Sequence, residues 1–65
     1  MADSEWNTRS LPEEGVVVNV LALDRRGRYM IPFRVVFRDG RWWNARTGEQ
    51  LAAVIVGWRR VRDGR

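Results

Sequence analysis

Residues 29–43 read YMIPFRVVFRDGRWW, and this stretch determines the predicted fold. Up to residue 38 the odd positions are apolar, namely Tyr29, Ile31, Phe33, Val35 and Phe37. Alternation with a period of two is the pattern of a β-strand with one apolar face. Asp-Gly at 39–40 separates this run from a second apolar run, which is the strongest short-range signal for a β-hairpin. The stretch therefore predicts two antiparallel strands, 29–38 and 41–46.

The length of the hairpin loop decides which of two adjacent tryptophans faces the core. A two-residue loop pairs Phe37 with Trp42, which places Trp42 in the core and Trp43 outside. A three-residue loop with Gly40 in a bulge moves the register by one residue and buries Trp43 instead. The sequence leaves both registers open.

Two further strands are predicted on either side of this hairpin. Residues 16–23 read VVVNVLAL and are rich in β-branched residues, and residues 51–58 read LAAVIVGW. The charged residues 24–28 connect the first strand to the second, and Gly27 can supply the positive φ that such a loop needs. Ahead of the first strand, residues 11–15 read LPEEG and predict a type I turn with Pro at its second position.

Two segments fit this pattern less simply. Pro32 cannot donate a hydrogen bond within a sheet, but counting back from the hairpin loop places it opposite residues 46–47, where the third strand ends. At that position no acceptor lies opposite Pro32, so its lack of an N–H removes no hydrogen bond. The residues LAA at 51–53 suit a helix, whereas the β-branched run at 54–56 followed by Gly57 favours a strand.

Together these segments predict an all-β domain, a small antiparallel four-stranded meander whose curled form is an SH3-like half barrel. The 65 residues are expected to form one domain, 1–65, with a polar lead at 1–9 and a flexible tail at 63–65. A flat sheet of this size is marginally stable, so one of its faces needs a cover. Trp6 and Leu11 are the candidates within the chain, and a second copy in a homodimer would serve the same purpose.

Composition and charge restrict the class of protein. Twelve Arg and no Lys against eight acidic residues give a formal net charge of +4, and the excess of Arg lies in residues 16–65. Bidentate phosphate contacts could explain a chain whose cations are all Arg, and codon bias in a GC-rich genome is the simpler explanation. No apolar run reaches the roughly 18 residues of a membrane span, and the start lacks the pattern of a secretory signal. We therefore expect a cytoplasmic protein.

The sequence contains no group of residues that indicates an enzyme. Because His and Cys are absent, the usual general bases, activated nucleophiles and zinc ligands are missing. Asp24, Asp39 and Asp63 lie in predicted turns or in the tail, and Glu13 and Glu14 lie in a turn. The glycines are spaced as turn residues and not as a phosphate-binding loop. We therefore expect no catalytic activity, no cofactor and no metal site.

The polar face of the predicted sheet is a candidate binding face. Its members are the arginines and tryptophans of the central hairpin: Arg34, Arg38, Arg41, Trp42, Trp43 and Arg46. Cations that follow phosphates beside an aromatic stacking platform are what single-stranded nucleic-acid binding requires. The alternative is a solvated arginine face with both tryptophans packed. The arginines at 59, 60, 62 and 65 are predicted to form a disordered basic tail.

A protein partner is the leading functional prediction, and nucleic acid is the alternative. Small β-domains bind peptides by strand addition or in aromatic grooves, and the first or the last predicted strand would supply a free edge. The partner is then an unknown protein or a second copy of the chain, and no membrane is involved.

A set of short motifs extends over most of the chain. It comprises Trp6, the Leu-Pro-x-x-Gly segment at 11–15 before a Val-rich strand, a Trp after the acidic hairpin turn, and the closing Gly57-Trp58. On these residues the chain resembles a family of small phage-associated domains of unknown function. That family closes with His-Trp-x-Pro-Leu-Pro, whereas here Gly57 occupies the His position and arginines replace the Pro-rich end. The spacing from Trp6 to the turn is also shorter than in the family. The resemblance implies a compact domain of phage or prophage origin and supplies no site residues.

Overall fold

Five antiparallel strands form one sheet in the computed structural model, which describes residues 6–61. The strands are β1 (Val17–Asp24), β2 (Gly27–Met30), β3 (Val35–Arg38), β4 (Arg41–Asn44) and β5 (Val54–Arg60). Within the described part of the chain there is no helix. The predicted all-β, antiparallel architecture is confirmed.

Strand β1 lies at the centre of the sheet. Leu21 pairs with both Met30 and Gly57, so β2 and β5 lie on opposite edges of β1. Val18 pairs with both Val35 and Arg60, so β3 shares the edge that β2 occupies. Because both edges of β1 are paired, the prediction of a free edge at the first strand is wrong. Strand β4 pairs with β3 at the periphery.

The predicted strand 29–38 is split into β2 and β3 around Pro32. The N–H of Ile31 donates to the carbonyl of Val20 (3.1 Å), and Val35 pairs with Val18. Four residues of the split strand therefore span the length of two residues of β1. Pro32 lies in this break and not within a strand, as expected for a residue that cannot donate to a neighbouring strand.

The break preserves the predicted alternation of apolar residues. The split strand has two more residues at the break than the part of β1 beside it. Because side chains alternate between the faces of a strand with a period of two, the apolar side chains before and after the break still point to the same face. Ile31, Val35 and Phe37 are all buried, and Phe33 is half-buried. Tyr29 shares their parity, but it lies in the outermost strand and is exposed.

The hairpin between β3 and β4 has the two-residue loop Asp39-Gly40. Both loop residues have positive φ, 57° and 73°, as a type I′ turn requires. Phe37 consequently pairs with Trp42, and the two rings lie 4.9 Å apart, centroid to centroid. The structure thus has the first of the two registers left open by the sequence, with Trp42 towards the core and Trp43 on the opposite face.

The last strand begins later than predicted and does not continue the meander. Residues 49–51 run along the edge of β4, where Gln50 bridges Trp43 and the N–H of Leu51 donates to the carbonyl of Trp42 (2.9 Å). The chain then crosses to β5, which starts at Val54 and pairs with β1. The prediction of a strand beginning at residue 51 is therefore wrong, because 49–51 belong to the edge of β4.

The end of β5 also differs from the prediction of a disordered basic tail. Arg59 pairs with Asn19 and Arg60 pairs with Val18, so both arginines belong to the sheet. Residues 1–5 and 62–65 lie outside the described part of the chain, and so do the predicted tail at 63–65 and the start of the polar lead. Within that lead, Asn7 forms a bridge with Trp58.

The core lies on one face of the curled sheet, called the inner face here. Val18, Val20 and Ala22 of β1 point to it and have no solvent exposure, and Ile31 and Val35 complete the buried cluster. Half-buried side chains from the other segments pack around this cluster: Val16, Phe33, Trp42, Leu51, Ala53, Ile55 and Trp58. β4 and β5 contribute Trp42 and Trp58 to one small cavity although they are not paired, so the sheet curls without closing.

The segment ahead of β1 covers the inner face, but not through the predicted residues. The indole Nε1–H of Trp58 donates to the carbonyl of Ser10 (2.8 Å), and Pro12 is buried. Leu11 is 64% exposed, so it is not the cover. Asn7 pairs with Trp58, whose side chain faces inward, so the neighbouring Trp6 falls on the opposite face.

The turn that leads into β1 lies two residues later than predicted. The N–H of Val16 donates to the carbonyl of Glu13 (3.3 Å), which closes a turn over residues 13–16. Gly15 occupies the third position with a φ of 85°, the signature of a type II turn. The predicted type I turn at 11–15 is therefore wrong, because Gly15 and not Pro12 determines the turn.

Candidate binding face

The face of the sheet opposite the core, called the outer face here, carries most of the large exposed apolar side chains of the strands. Along β1 it bears Val17, Asn19, Leu21 and Leu23, which alternate with the inner-face residues. Val17 and Leu23 are exposed, Asn19 is half-buried, and Leu21 is buried although it points to the outer face. The register places Gly57 and Arg59 of β5 on this face, opposite Leu21 and Asn19. No helix or second sheet packs on it within residues 6–61.

Three exposed apolar side chains form a contiguous group on the outer face, called the outer patch here: Leu23, Met30 and Val54. Leu23 pairs directly with Val54, and Met30 pairs with Leu21, one step along the same face of β1. Their exposed fractions are 42% for Leu23, 51% for Met30 and 61% for Val54. Scattered exposed apolar residues are ordinary, but a contiguous group of them indicates an interaction surface.

Two arginines border the outer patch. Arg28 pairs with Leu23 and is exposed. The Arg59 guanidinium lies over the Trp6 ring, with its Cζ 4.3 Å from the ring centroid, and its Nη2 donates to Met30 Sδ at 3.8 Å. A cation over an indole face is a favourable contact of about 0.5–2 kcal/mol. Arg59 is therefore held at one rim of the patch.

Gly57 allows the N-terminal segment to approach β5. A Cβ at this position would lie 3.3 Å from Trp6 Cβ and 3.4 Å from Thr8 Cγ2, closer than ordinary van der Waals contact for the first. Asn7 and Trp58 exchange two backbone hydrogen bonds beside it, of 2.8 and 3.1 Å. The absence of a side chain at residue 57 thus lets Trp6 reach the position where it stacks with Arg59.

The β3–β4 hairpin contributes a second group, called the hairpin cluster here: Arg38, Arg41 and Trp43. Arg38 lies directly opposite Arg41, and like charges so placed repel each other. The indole Nε1–H of Trp43 donates to the main-chain carbonyl of Arg38 (2.9 Å), and the Arg38 guanidinium lies 6.0 Å from the ring centroid. An anion bound here would relieve the repulsion between the two arginines.

A groove of about 520 Å³ opens where the strand breaks between β2 and β3. It is lined by Val17, Pro32, Phe33, Arg34, Ala45 and Arg46. The N–H of Ala45 donates to the carbonyl of Arg34 (2.9 Å), which extends the pairing of β3 with β4 to these two lining residues. The side-chain Oδ1 of Asn44 accepts from the N–H of Arg46 (2.8 Å), so the backbone of both groove arginines is fixed.

The candidate residues from the sequence thus fall into three places. Arg38, Arg41 and Trp43 form the hairpin cluster, Arg34 and Arg46 line the groove, and Trp42 faces the core. Sequence reasoning missed the outer patch and the groove. Met30 has the outward parity in the alternating stretch, which is an available signal, but Leu23 and Val54 lie in almost continuous apolar runs that show no alternation.

Two classes of site are not found in the described residues. Residues 6–61 contain no group of three or more Asp or Glu side chains placed to bind a metal ion. The same residues include no helix of the length and apolar character that would cross a bilayer.

Comparison of the chain with protein-family models, with curated proteins and with solved structures gives no match. A function is therefore inferred from the outer face itself.

Proposed function

We propose that the chain is a small non-catalytic binding module that receives a protein partner on the outer face of its sheet. The observation that carries the proposal is the outer patch, in which Leu23, Met30 and Val54 form one exposed apolar surface on three neighbouring strands. Burial of apolar area is the main favourable contribution to protein association, at about 25 cal/mol per Å². Because the patch lies on a paired sheet, the backbone that carries its side chains is already ordered before a partner arrives.

The charges around the patch define the chemistry of the partner. Arg28 and Arg59 lie at its rim, and cations at the rim of an interface favour a partner with carboxylates at the matching positions. A second copy of the chain would bring the same two rim cations and no carboxylate of the outer patch, which disfavours self-association through this face. The proposed partner is therefore an acidic protein segment with exposed apolar side chains. Phage or prophage origin and a cytoplasmic location remain predictions from the sequence.

Selection from a random peptide library tests this function while the natural partner is unidentified. We expect enrichment of peptides that combine large apolar residues with Asp or Glu. The double variant Leu23→Gln with Val54→Thr removes apolar surface without changing charge, and it should weaken these peptides about tenfold or more, which corresponds to about 1.4 kcal/mol. Leu11→Gln is the control, because Leu11 is 64% exposed but lies in the segment ahead of β1, outside the outer patch.

Two results would contradict the proposal. One is the absence of enriched peptides, and the other is enriched peptides that bind the double variant as tightly as the original chain. Sedimentation at high concentration tests whether the partner is a second copy of the chain. A dimer that forms in the original chain and dissociates in the double variant would show that it is.

Single-stranded nucleic acid is a second candidate, favoured by the hairpin cluster. Arg38 and Arg41 lie side by side next to the half-exposed ring of Trp43, which is the combination of cations and aromatic surface that such binding uses. An amide NMR titration with a mixed oligonucleotide, at low and at physiological salt, tests it. Shifts at the Trp43 indole that persist in salt, and that Arg38→Glu with Arg41→Glu abolishes, would favour nucleic acid. Shifts that vanish with salt would indicate general electrostatic attraction only.

A further inference from the structure

We infer that the groove between β2 and β3 binds one large apolar side chain together with an adjacent carboxylate of an acidic peptide segment. This inference rests on the proposed function, because it names the chemistry of the protein partner at a second position on the same face. The groove is distinct from the outer patch, which lies towards the other end of β1.

The groove exists because the sheet is interrupted at this point. Val18 pairs with Val35, and the next contact along this edge joins Val20 to Ile31. The residues between Ile31 and Val35 therefore leave the ladder, and within residues 6–61 Asn19 has no paired residue on this side. Irregularities of this kind frequently occur beside binding sites, where they redirect side chains.

The walls of the groove are mainly apolar. Val17 lines it and is 41% exposed, and Phe33 is half-buried because it packs against the core cluster. Pro32 and Ala45 complete the apolar lining. The volume of about 520 Å³ lies within the range of ligand pockets, about 300–1,000 Å³. It can therefore accept one aromatic or branched side chain with part of the flanking peptide.

The charges of the groove are of one sign. Arg34 and Arg46 both line the groove and both are exposed, and no acidic residue of the described chain is among the lining residues. A guanidinium presents a planar set of donors that matches a carboxylate in two parallel hydrogen bonds. The hydrogen bonds of Ala45 and Asn44 hold the backbones of both arginines, so little backbone freedom is lost when an anion binds.

The lining favours a peptide over a nucleotide. Among residues 6–61, no Asn, Gln, Ser or Thr side chain lines the groove, so the edge of a base would find no neutral hydrogen-bonding partner in that part of the chain. The Phe33 ring packs against the core cluster and is not a free platform for stacking. An apolar side chain next to a carboxylate matches both the apolar walls and the two arginines.

The position of the groove also fits a partner that covers the outer patch. Val17 and Leu23 point to the same face of β1 and are six residues apart, a distance of about 20 Å along a strand. A single extended segment of about six residues would reach from the groove to the outer patch at the same rise per residue. Arg59 lies between them, beside Asn19.

An amide NMR titration with the peptide acetyl-Gly-Glu-Phe-Glu-Gly-amide tests the inference on the full chain. We expect shifts at Val17, Arg34 and Ala45, and a loss of affinity of about tenfold or more when both Glu of the peptide are replaced by Gln. Arg34→Gln with Arg46→Gln should have the same effect on the original peptide. Arg25→Gln with Arg26→Gln is the matched control, since it removes the same charge from the exposed β1–β2 turn.

Several outcomes would overturn the assignment of the groove. Equal weakening by the control pair would show only general attraction to a basic surface. A thymidine oligonucleotide that shifts the groove residues more strongly than the peptide would make nucleic acid the occupant. Library-selected peptides that depend on Leu23 and Val54 but not on Arg34 and Arg46 would leave the proposed function intact and remove the groove from it. If the selected peptides bind equally well after substitution of Leu23 and Val54 and after substitution of Arg34 and Arg46, the proposed function itself fails.

Discussion

The two faces of β1 differ in burial although both belong to one apolar run. Val17 and Val18 are adjacent and chemically identical, yet Val18 has no solvent exposure and Val17 is 41% exposed. On the inner face of β1, Val20 and Ala22 are also fully buried, whereas on the outer face Leu23 is 42% exposed and Leu21 is buried. Composition therefore does not decide which residues hold the fold. Whether a residue is buried depends on the face to which the pleat of the strand directs its side chain and on which face the rest of the chain covers.

This difference separates stability from binding in the molecule. Full burial of a Val or Leu side chain contributes about 1.5–3 kcal/mol, and a domain of this size has a net stability of only a few kcal/mol. Substitutions of the buried inner-face residues should therefore unfold a large part of the population, whereas substitutions at the exposed positions of the outer face should leave the fold intact. Matched pairs of adjacent residues test this division directly.

The adjacent tryptophans provide the pair with the largest expected effect. Trp42→Ala removes the ring that packs against Phe37 and the core cluster, and it should lower the free energy of unfolding by about 3 kcal/mol. Trp43→Ala should lower the free energy of unfolding by about 1 kcal/mol, because the substitution mainly removes one hydrogen bond to the carbonyl of Arg38. Urea unfolding followed by circular dichroism measures both. Equal losses would show that the two faces do not differ in their contribution to the fold.

The sequence contains enough information to predict the hairpin. The alternation at 29–38 and the Asp39-Gly40 loop act locally, since the pleat assigns side chains to faces and the type I′ turn fixes the register once its length is known. Only the loop length is open, and it decides the positions of Trp42 and Trp43. The two-residue loop pairs Arg38 with Arg41, as the sequence predicts for that loop length.

The remaining features depend on contacts between segments distant in the sequence. The break at Pro32 is not predicted. It arises because both halves of the predicted strand pair with β1, and this pairing is not visible in the local sequence. Residues 51–53 are wrongly assigned to the last strand because nothing local shows that 49–51 pair with the edge of β4. The outer patch joins Leu23, Met30 and Val54 from three strands, so only the complete register brings it together.

The two valines at the start of β1 form the second pair. Val18→Thr places a hydroxyl in the buried cluster, and burial of a hydroxyl without a hydrogen-bond partner should lower the free energy of unfolding by about 1–3 kcal/mol. Val17→Thr changes an exposed position in a strand and should alter it by less than about 0.5 kcal/mol. Thermal unfolding of the two variants is the measurement. A loss at Val17 as large as that at Val18 would mean that the outer face is covered.

Arg38→Gln has the smallest expected effect and separates side-chain from main-chain contributions in the hairpin cluster. The substitution removes a weak contact between the guanidinium and the Trp43 ring, but it also removes the repulsion between Arg38 and Arg41, so stability should change by less than about 0.5 kcal/mol. The indole of Trp43 donates to the main-chain carbonyl of residue 38, so its proton should keep its NMR position and its slow exchange with solvent. Val36→Thr, on the same face, is a control for general loosening of the hairpin. Faster exchange of the indole proton in Arg38→Gln alone would show that the guanidinium holds the ring. Unchanged exchange would mean that the backbone positions Trp43, which leaves the guanidiniums of Arg38 and Arg41 available to a ligand without loss of the fold.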